Sequence, residues 1–184
     1  MRHPYFDVPV PTVIGHRGAA ADAPENTLPS FALGLAQGAH ILESDIHQTR
    51  DGVPVLSHDE SLARMTGRVA LVEELDLAAL QELDAGFGFT GEREGIPLAE
   101  RGFRIPTLEE AFEAFPDARF NLEIKADAPG LVERVVALVA EHGRADRTLL
   151  AAESDERMAR IRAETKRAGV AVAIGAAVGD VLAW

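Results

Sequence analysis

Residues 41–59 read Ile-Leu-Glu-Ser-Asp-Ile-His-Gln-Thr-Arg-Asp-Gly-Val-Pro-Val-Leu-Ser-His-Asp, and the alternation in the first eight decides the fold. In an extended strand successive side chains point to opposite faces, so Glu43 and Asp45 share one face while Leu42 and Ile46 share the other. Thr49-Arg50-Asp51-Gly52 then supplies turn chemistry, with Gly52 free to take positive φ. A second short strand, 53–57, delivers His58 and Asp59 at its end. Two carboxylates and a histidine are thereby brought toward one place.

A strand that is apolar on one side and acidic on the other is ordinarily half exposed. The neighbouring sequence argues for a different role. Arg119 to Lys125 repeats the alternation, with Phe120, Leu122 and Ile124 on one face and Asn121, Glu123 and Lys125 on the other. Toward the N-terminus, 12–15 form a short buried strand ending in His16-Arg17-Gly18, followed by a helix capped by Thr27 and stopped by Gly38. Further helices are expected over 72–83, from Thr107 with Glu110 completing a capping box, over 130–142 and over 155–168. Strands are expected over 148–152 and 170–174, making six in alternation with helices, the pattern of a parallel sheet with crossover helices.

A doubly wound sheet would make its central strands apolar on both faces. Strands with one polar face fit a closed barrel better, apolar toward a ring of helices and polar toward the interior. Such barrels carry their sites at the carboxyl ends of the strands, where His16, Glu43, Asp45, His58, Glu123 and Lys125 all fall. The expected class is therefore α/β, a (β/α)8 TIM-barrel type. An eightfold barrel takes about 250 residues, and 184 residues accommodate about six βα units. The domain is assigned to 12–184, after a loose, proline-rich lead-in over 1–11.

The chain has 47% hydrophobic and 26% charged residues, enough for a substantial single core. A formal charge of −12 disfavours nucleic acid and anionic membrane surfaces as partners. There is no cysteine, so disulfides and thiolate metal sites are excluded, and the composition suits a reducing, cytoplasmic setting. No stretch approaches eighteen apolar residues, and the N-terminal prolines and Asp7 interrupt any signal-like apolar run, so neither membrane insertion nor secretion is expected.

Six blocks occur in order: GHRGAAADAPENT from Gly15, ESDIHQTRDGVPVLSHDE from Glu43, MTG at Met65 to Gly67, LDAGFGF from Leu83, IPTLEEAF from Ile105 and NLEIK from Asn121. Together they resemble the glycerophosphodiester phosphodiesterases, from about Val13 to Trp184. That resemblance implies a (β/α)8 barrel hydrolysing glycerophosphodiesters to glycerol 3-phosphate and an alcohol with one divalent cation. It implies Glu43, Asp45 and Glu123 as metal ligands, His16 and His58 as general acid and base, and Arg17 and Lys125 as phosphate contacts.

The chemistry of those residue types agrees. Three gathered carboxylates repel one another unless a cation neutralises them, and all-oxygen ligation favours Mg²⁺ or Ca²⁺. Two histidines can serve the attacking hydroxyl and the leaving alkoxide in turn, while arginine and lysine complement a phosphate. Water and the glycerol's own 2-hydroxyl both fit as nucleophile, and either histidine fits as acid. Glu25 and Asn26 in the PENT block are explained equally by loop hydrogen bonding; Asp59 is expected to orient His58, and His47 is left without a partner. Phe87 and Phe89 are read as packing residues before substrate contacts. The alternatives are a related barrel acting on lysophospholipid or sphingolipid head groups, against which the charged stretch 91–100 argues, and a non-catalytic or incomplete barrel. A homo-oligomer closing the ring is a further possible assembly.

Overall fold

The computed structural model describes residues 2–89 and 103–176. Among these residues five strands form a parallel sheet in the order β1 (Ile14–His16), β2 (Ile41–Gln48), β4 (Arg119–Ile124), β5 (Thr148–Ala151) and β6 (Ala173–Ile174). The remaining strand, β3 (Pro54–Leu56), corrects the expected count, because it pairs antiparallel with the end of β2 and lies off that path. The reason is local. Thr49 accepts from and donates to the turn closed at Gly52 (φ +85°), which reverses the chain within a few residues and leaves no length for a crossover helix.

The helices α1 (Leu28–Ala36), α4 (Leu108–Ala114), α5 (Leu131–Glu141) and α6 (Asp155–Ala168) cover one face of this sheet. Leu42, Ile46, Phe120, Leu122, Ile124 and Leu150 meet Phe31, Phe112, Val135, Val139, Met158 and Ile161 in one core. Phe31 and Phe112 both pack edge-on against Phe120, with ring centroids 5.8 Å away in each case. The opposite face carries Glu43 and Asp45 beside Asn121 and Glu123, so helices on one side and polar side chains on the other make this a barrel wall.

Helix ends follow the sequence closely. Thr27 accepts from the Ser30 N–H, and Thr107 and Glu110 exchange both bonds of a capping box. Three expectations change. The helix expected over 72–83 is split into a 3-10 turn, Val72–Glu74, and α3 (Leu77–Leu80), because Leu75 is extended and gives its carbonyl to Arg50. Strand β1 is not buried: Ile14 is 49% exposed, since among the described residues β1 pairs only with β2 and forms an edge. The lead-in is not loose either, because Tyr5 is buried against Ile41 and Ala173 at the amino ends of β2 and β6.

Arg144, which follows α5, is the largest fully buried side chain among the described residues. Its guanidinium lies 4.6 Å from the Phe112 ring centroid and donates to the carbonyls of Phe115, Pro116 and Ala118, just past the end of α4. Burial pulls its pKa down to about 10, which leaves it charged at neutral pH. Arg144→Met is expected to cost ~3 kcal/mol by stranding those carbonyls, and to lower the melting temperature on the order of 10 °C by calorimetry.

Candidate active site

Parallel pairing sets Asp45 of β2 opposite Glu123 of β4, and His16 of β1 opposite Glu43. The register alone therefore brings three carboxylates and a histidine to neighbouring positions at the carboxyl ends of adjacent strands. The loop after β1 adds Arg17, whose φ is +52°. A non-glycine residue in this left-handed region is strained and needs support. Its N–H donates to Glu43 Oε2 at 3.0 Å, and its carbonyl accepts from Ser30 Oγ at 3.0 Å and the Asn26 N–H at 3.0 Å. Gly18 follows at φ +84°, where a Cβ would lie 2.4 Å from Ser30 Oγ, so only glycine lets this turn sit on α1.

The carboxylates and cations are interleaved. Asp45, 2% exposed, lies 3.6 Å from Arg17 Nε and 3.5 Å from Lys125 Nζ, and Lys125 also reaches Glu123 at 3.0 Å. Burial opposes the charge on Lys125, but Glu123 and Asp45 outweigh it and raise its pKa. His16 Nε2 is 3.8 Å from Glu43 Oε2, with its side chain largely open to solvent. On the other side, His58 Nδ1 is 2.7 Å from Asp59 Oδ1. The structure thus gathers His16, Arg17, Glu43, Asp45, Glu123 and Lys125 directly, and sets His58 on β3's exit, where the Ser57 N–H bonds the Asp45 carbonyl at 3.0 Å.

Whether the carboxylates fit a cation is a question of charge. Three acids face two bases, and Glu43 shows the imbalance: burial, then the Asp45 charge, raises its pKa to about 7. The donor set is all oxygen and anionic in excess, which suits a hard divalent ion. As arranged, Lys125 and Arg17 reach between the carboxylates, and among the described residues no three His, Asp or Glu side chains close on one point. With chelator present, the folded chain binds a proton at Glu43 that the unfolded chain releases between the ordinary carboxylate range and about pH 7. Stability is therefore expected to fall as pH rises through that window, a trend that Glu43→Gln should flatten in denaturant titrations at pH 5 and 8.

Three residues emerge here beyond those the sequence assigned to the site: Asn26 was left open, His47 was set aside and Arg64 was not singled out. Asn26, 3% exposed and at φ +56°, accepts from Ser44 Oγ at 2.7 Å and donates to Asp45 Oδ2 at 3.3 Å, which fixes the Asp45 carboxylate. Its place just before a helix cap was the available signal. His47 is buried, its pKa lowered by that burial, and its Nε2 lies 3.2 Å from the His58 carbonyl. It lines a cavity of about 250 Å³ with Lys125, Glu60 and Arg157. The third is Arg64, bonded to both Glu25 and Asp59. Of the loop from Gly86, only the residues through Phe89 are described; the stretch 91–100 lies outside the described residues.

Residues 16–174 match the sequence profile of the glycerophosphoryl diester phosphodiesterase family. The chain belongs to that family. It is 36% identical over 143 residues to a glycerophosphodiester phosphodiesterase of Caldanaerobacter subterraneus, covering 75% of this chain and 56% of the relative. It is 37% identical over 135 residues to human lysophospholipase D, covering 71% of this chain and 41% of that protein. The chain thus spans about half the length of these curated relatives. Among solved structures, the glycerophosphoryl diester phosphodiesterase domain of a Mycobacterium tuberculosis protein superposes with a TM-score of 0.81 at 27% identity, over 94% of this chain and 62% of that one. An Oleispira antarctica phosphodiesterase, solved with the product sn-glycerol-3-phosphate, gives a TM-score of 0.73 at 31% identity, over 95% and 68%. These phosphodiesterase relatives establish the barrel class of the sheet described above. Among the described residues, no helix of this family member is long and apolar enough to cross a membrane.

Proposed function

We propose that this chain carries the catalytic centre of a metal-dependent phosphodiesterase, cleaving glycerophosphodiesters to glycerol 3-phosphate and an alcohol. The observation that carries this reading is the registered Asp45–Glu123 pair with Glu43 beside it, flanked by Arg17 and Lys125 and approached by His16 and by a carboxylate-oriented His58. The product-bound Oleispira relative supports the substrate class.

Glu43, Asp45 and Glu123 would hold Mg²⁺ or Ca²⁺, which when bound polarises a phosphoryl oxygen as a Lewis acid. Arg17 and Lys125 bind and neutralise the phosphodiester anion. One histidine takes the proton of the attacking hydroxyl as its oxygen bonds to phosphorus. The other gives a proton to the departing alcohol as the second phosphorus–oxygen bond breaks. With a water nucleophile the products form in one displacement; with the glycerol 2-hydroxyl a cyclic phosphate precedes them.

Lysophospholipids share the glycerophosphodiester core, and the lysophospholipase D relatives make them the second substrate to test. Parallel assays with glycerophosphocholine and lysophosphatidylcholine are expected to release glycerol 3-phosphate faster than lysophosphatidate. Faster lysophosphatidate release would assign the lysophospholipid reaction instead.

A further inference from the structure

Arg64 lies on α2 (Ala63–Thr66), outside the residues that carry the proposed chemistry, yet its guanidinium joins the two sides of the site. Its Nε donates to Asp59 Oδ2 at 2.6 Å. Its Nη1 and Nη2 donate to Glu25 Oε2 at 3.0 Å and Oε1 at 2.7 Å. Each carboxylate also contacts a site residue: the other Asp59 oxygen, Oδ1, is 2.7 Å from His58 Nδ1, and Glu25 Oε1, shared with Arg64, accepts from Arg17 Nη1 at 3.1 Å. The result is one continuous chain, His58–Asp59–Arg64–Glu25–Arg17.

The chemistry of this chain constrains the histidine. An ionised carboxylate only accepts, so the Asp59 contact requires the proton of neutral His58 on Nδ1 and leaves Nε2 as the free base. Burial pushes both carboxyls up, but the Arg64 bonds, with His58 at Asp59 and Arg17 at Glu25, overcome it and hold both below their ordinary range. Both therefore remain acceptors at neutral pH. A lysine could not replace Arg64, because the interaction uses two edges of a planar fork at once.

We infer that Arg64 is a positioning residue, whose guanidinium locks Asp59 so that His58 is held as the Nδ1–H tautomer and, through Glu25, fixes the Arg17 side chain. This rests on the phosphodiesterase reading for its kinetic consequences, though not for the tautomer itself.

The test has a spectroscopic and a kinetic arm. Imidazole ¹⁵N spectra of the full chain, with His58 assigned by the His58→Gln variant, are expected to show protonated Nδ1 in the wild type. Arg64→Met and Arg64→Lys should both move His58 toward the Nε2–H form. Kinetically, Arg64→Met and Asp59→Asn are each expected to lower kcat about 10–100-fold, with the double variant little worse than either single one. Arg64→Lys should fail to restore kcat. An unchanged His58 tautomer in Arg64→Met, or a double variant whose losses multiply, would overturn the assignment. A wild-type chain inactive on glycerophosphodiesters but with the expected tautomer change would instead overturn the phosphodiesterase reading and leave the positioning role standing.

Discussion

His58→Ala is expected to slow glycerol 3-phosphate release by about 10²–10⁴-fold, the usual contribution of a general acid or base. The size of the effect follows from how tightly this histidine is set. Its Nδ1 is held by Asp59 at 2.7 Å and its own carbonyl lies 3.2 Å from His47 Nε2, so ring and backbone are both constrained. Its removal should leave KM nearly unchanged, because the phosphate contacts are proposed for Arg17 and Lys125 instead. Steady-state kinetics on glycerophosphocholine checks this; a KM increase with unchanged kcat would make His58 a binding group.

Asp45→Asn is expected to abolish the response to divalent cations. Asp45 is the most buried of the three site carboxylates and the point where both cations and Asn26 meet. Neutralising it removes the negative charge of the central carboxylate proposed to hold the cation, and leaves Arg17 and Lys125 their ion pairs with Glu25 and Glu123. For the wild type, Mg²⁺ or Ca²⁺ at about 100-fold over its dissociation constant should add ~2.7 kcal/mol, roughly 5–10 °C in melting temperature. The variant should show no cation-dependent shift in the same melts, and should lose activity on the order of 10²-fold or more. An equal shift in both proteins would place the cation elsewhere.

Much of this site was legible because strand alternation is a local property. Glu43-Ser44-Asp45 and Asn121-Leu122-Glu123 each declare a polar face from three residues, and parallel pairing does the rest by setting Asp45 opposite Glu123. Helix caps at Thr27 and Thr107 were legible for the same reason. What escaped was set by distant partners. Strand β3 is short and apolar enough to pass for a barrel strand, and its antiparallel direction depends on a turn closing against β2. Tyr5 carries no local mark of burial; it becomes core only once Ile41 and Ala173 are assembled beneath it. Arg64 looks like any exposed helix arginine until the loop carrying Glu25, 39 positions earlier, folds against it. Asn26 stayed open for the same reason, since its contacts with Ser44 and Asp45 join residues distant in sequence.

The most direct test of the catalytic claim is release of glycerol 3-phosphate from glycerophosphocholine by the purified 184-residue chain, with Mg²⁺, with Ca²⁺ and with chelator, alongside His16→Ala. Cation-dependent release that is lost both in chelator and in His16→Ala is the expected result. No release with either cation, or release unaffected by chelator and by the substitution, would contradict a catalytic centre built from these strand ends.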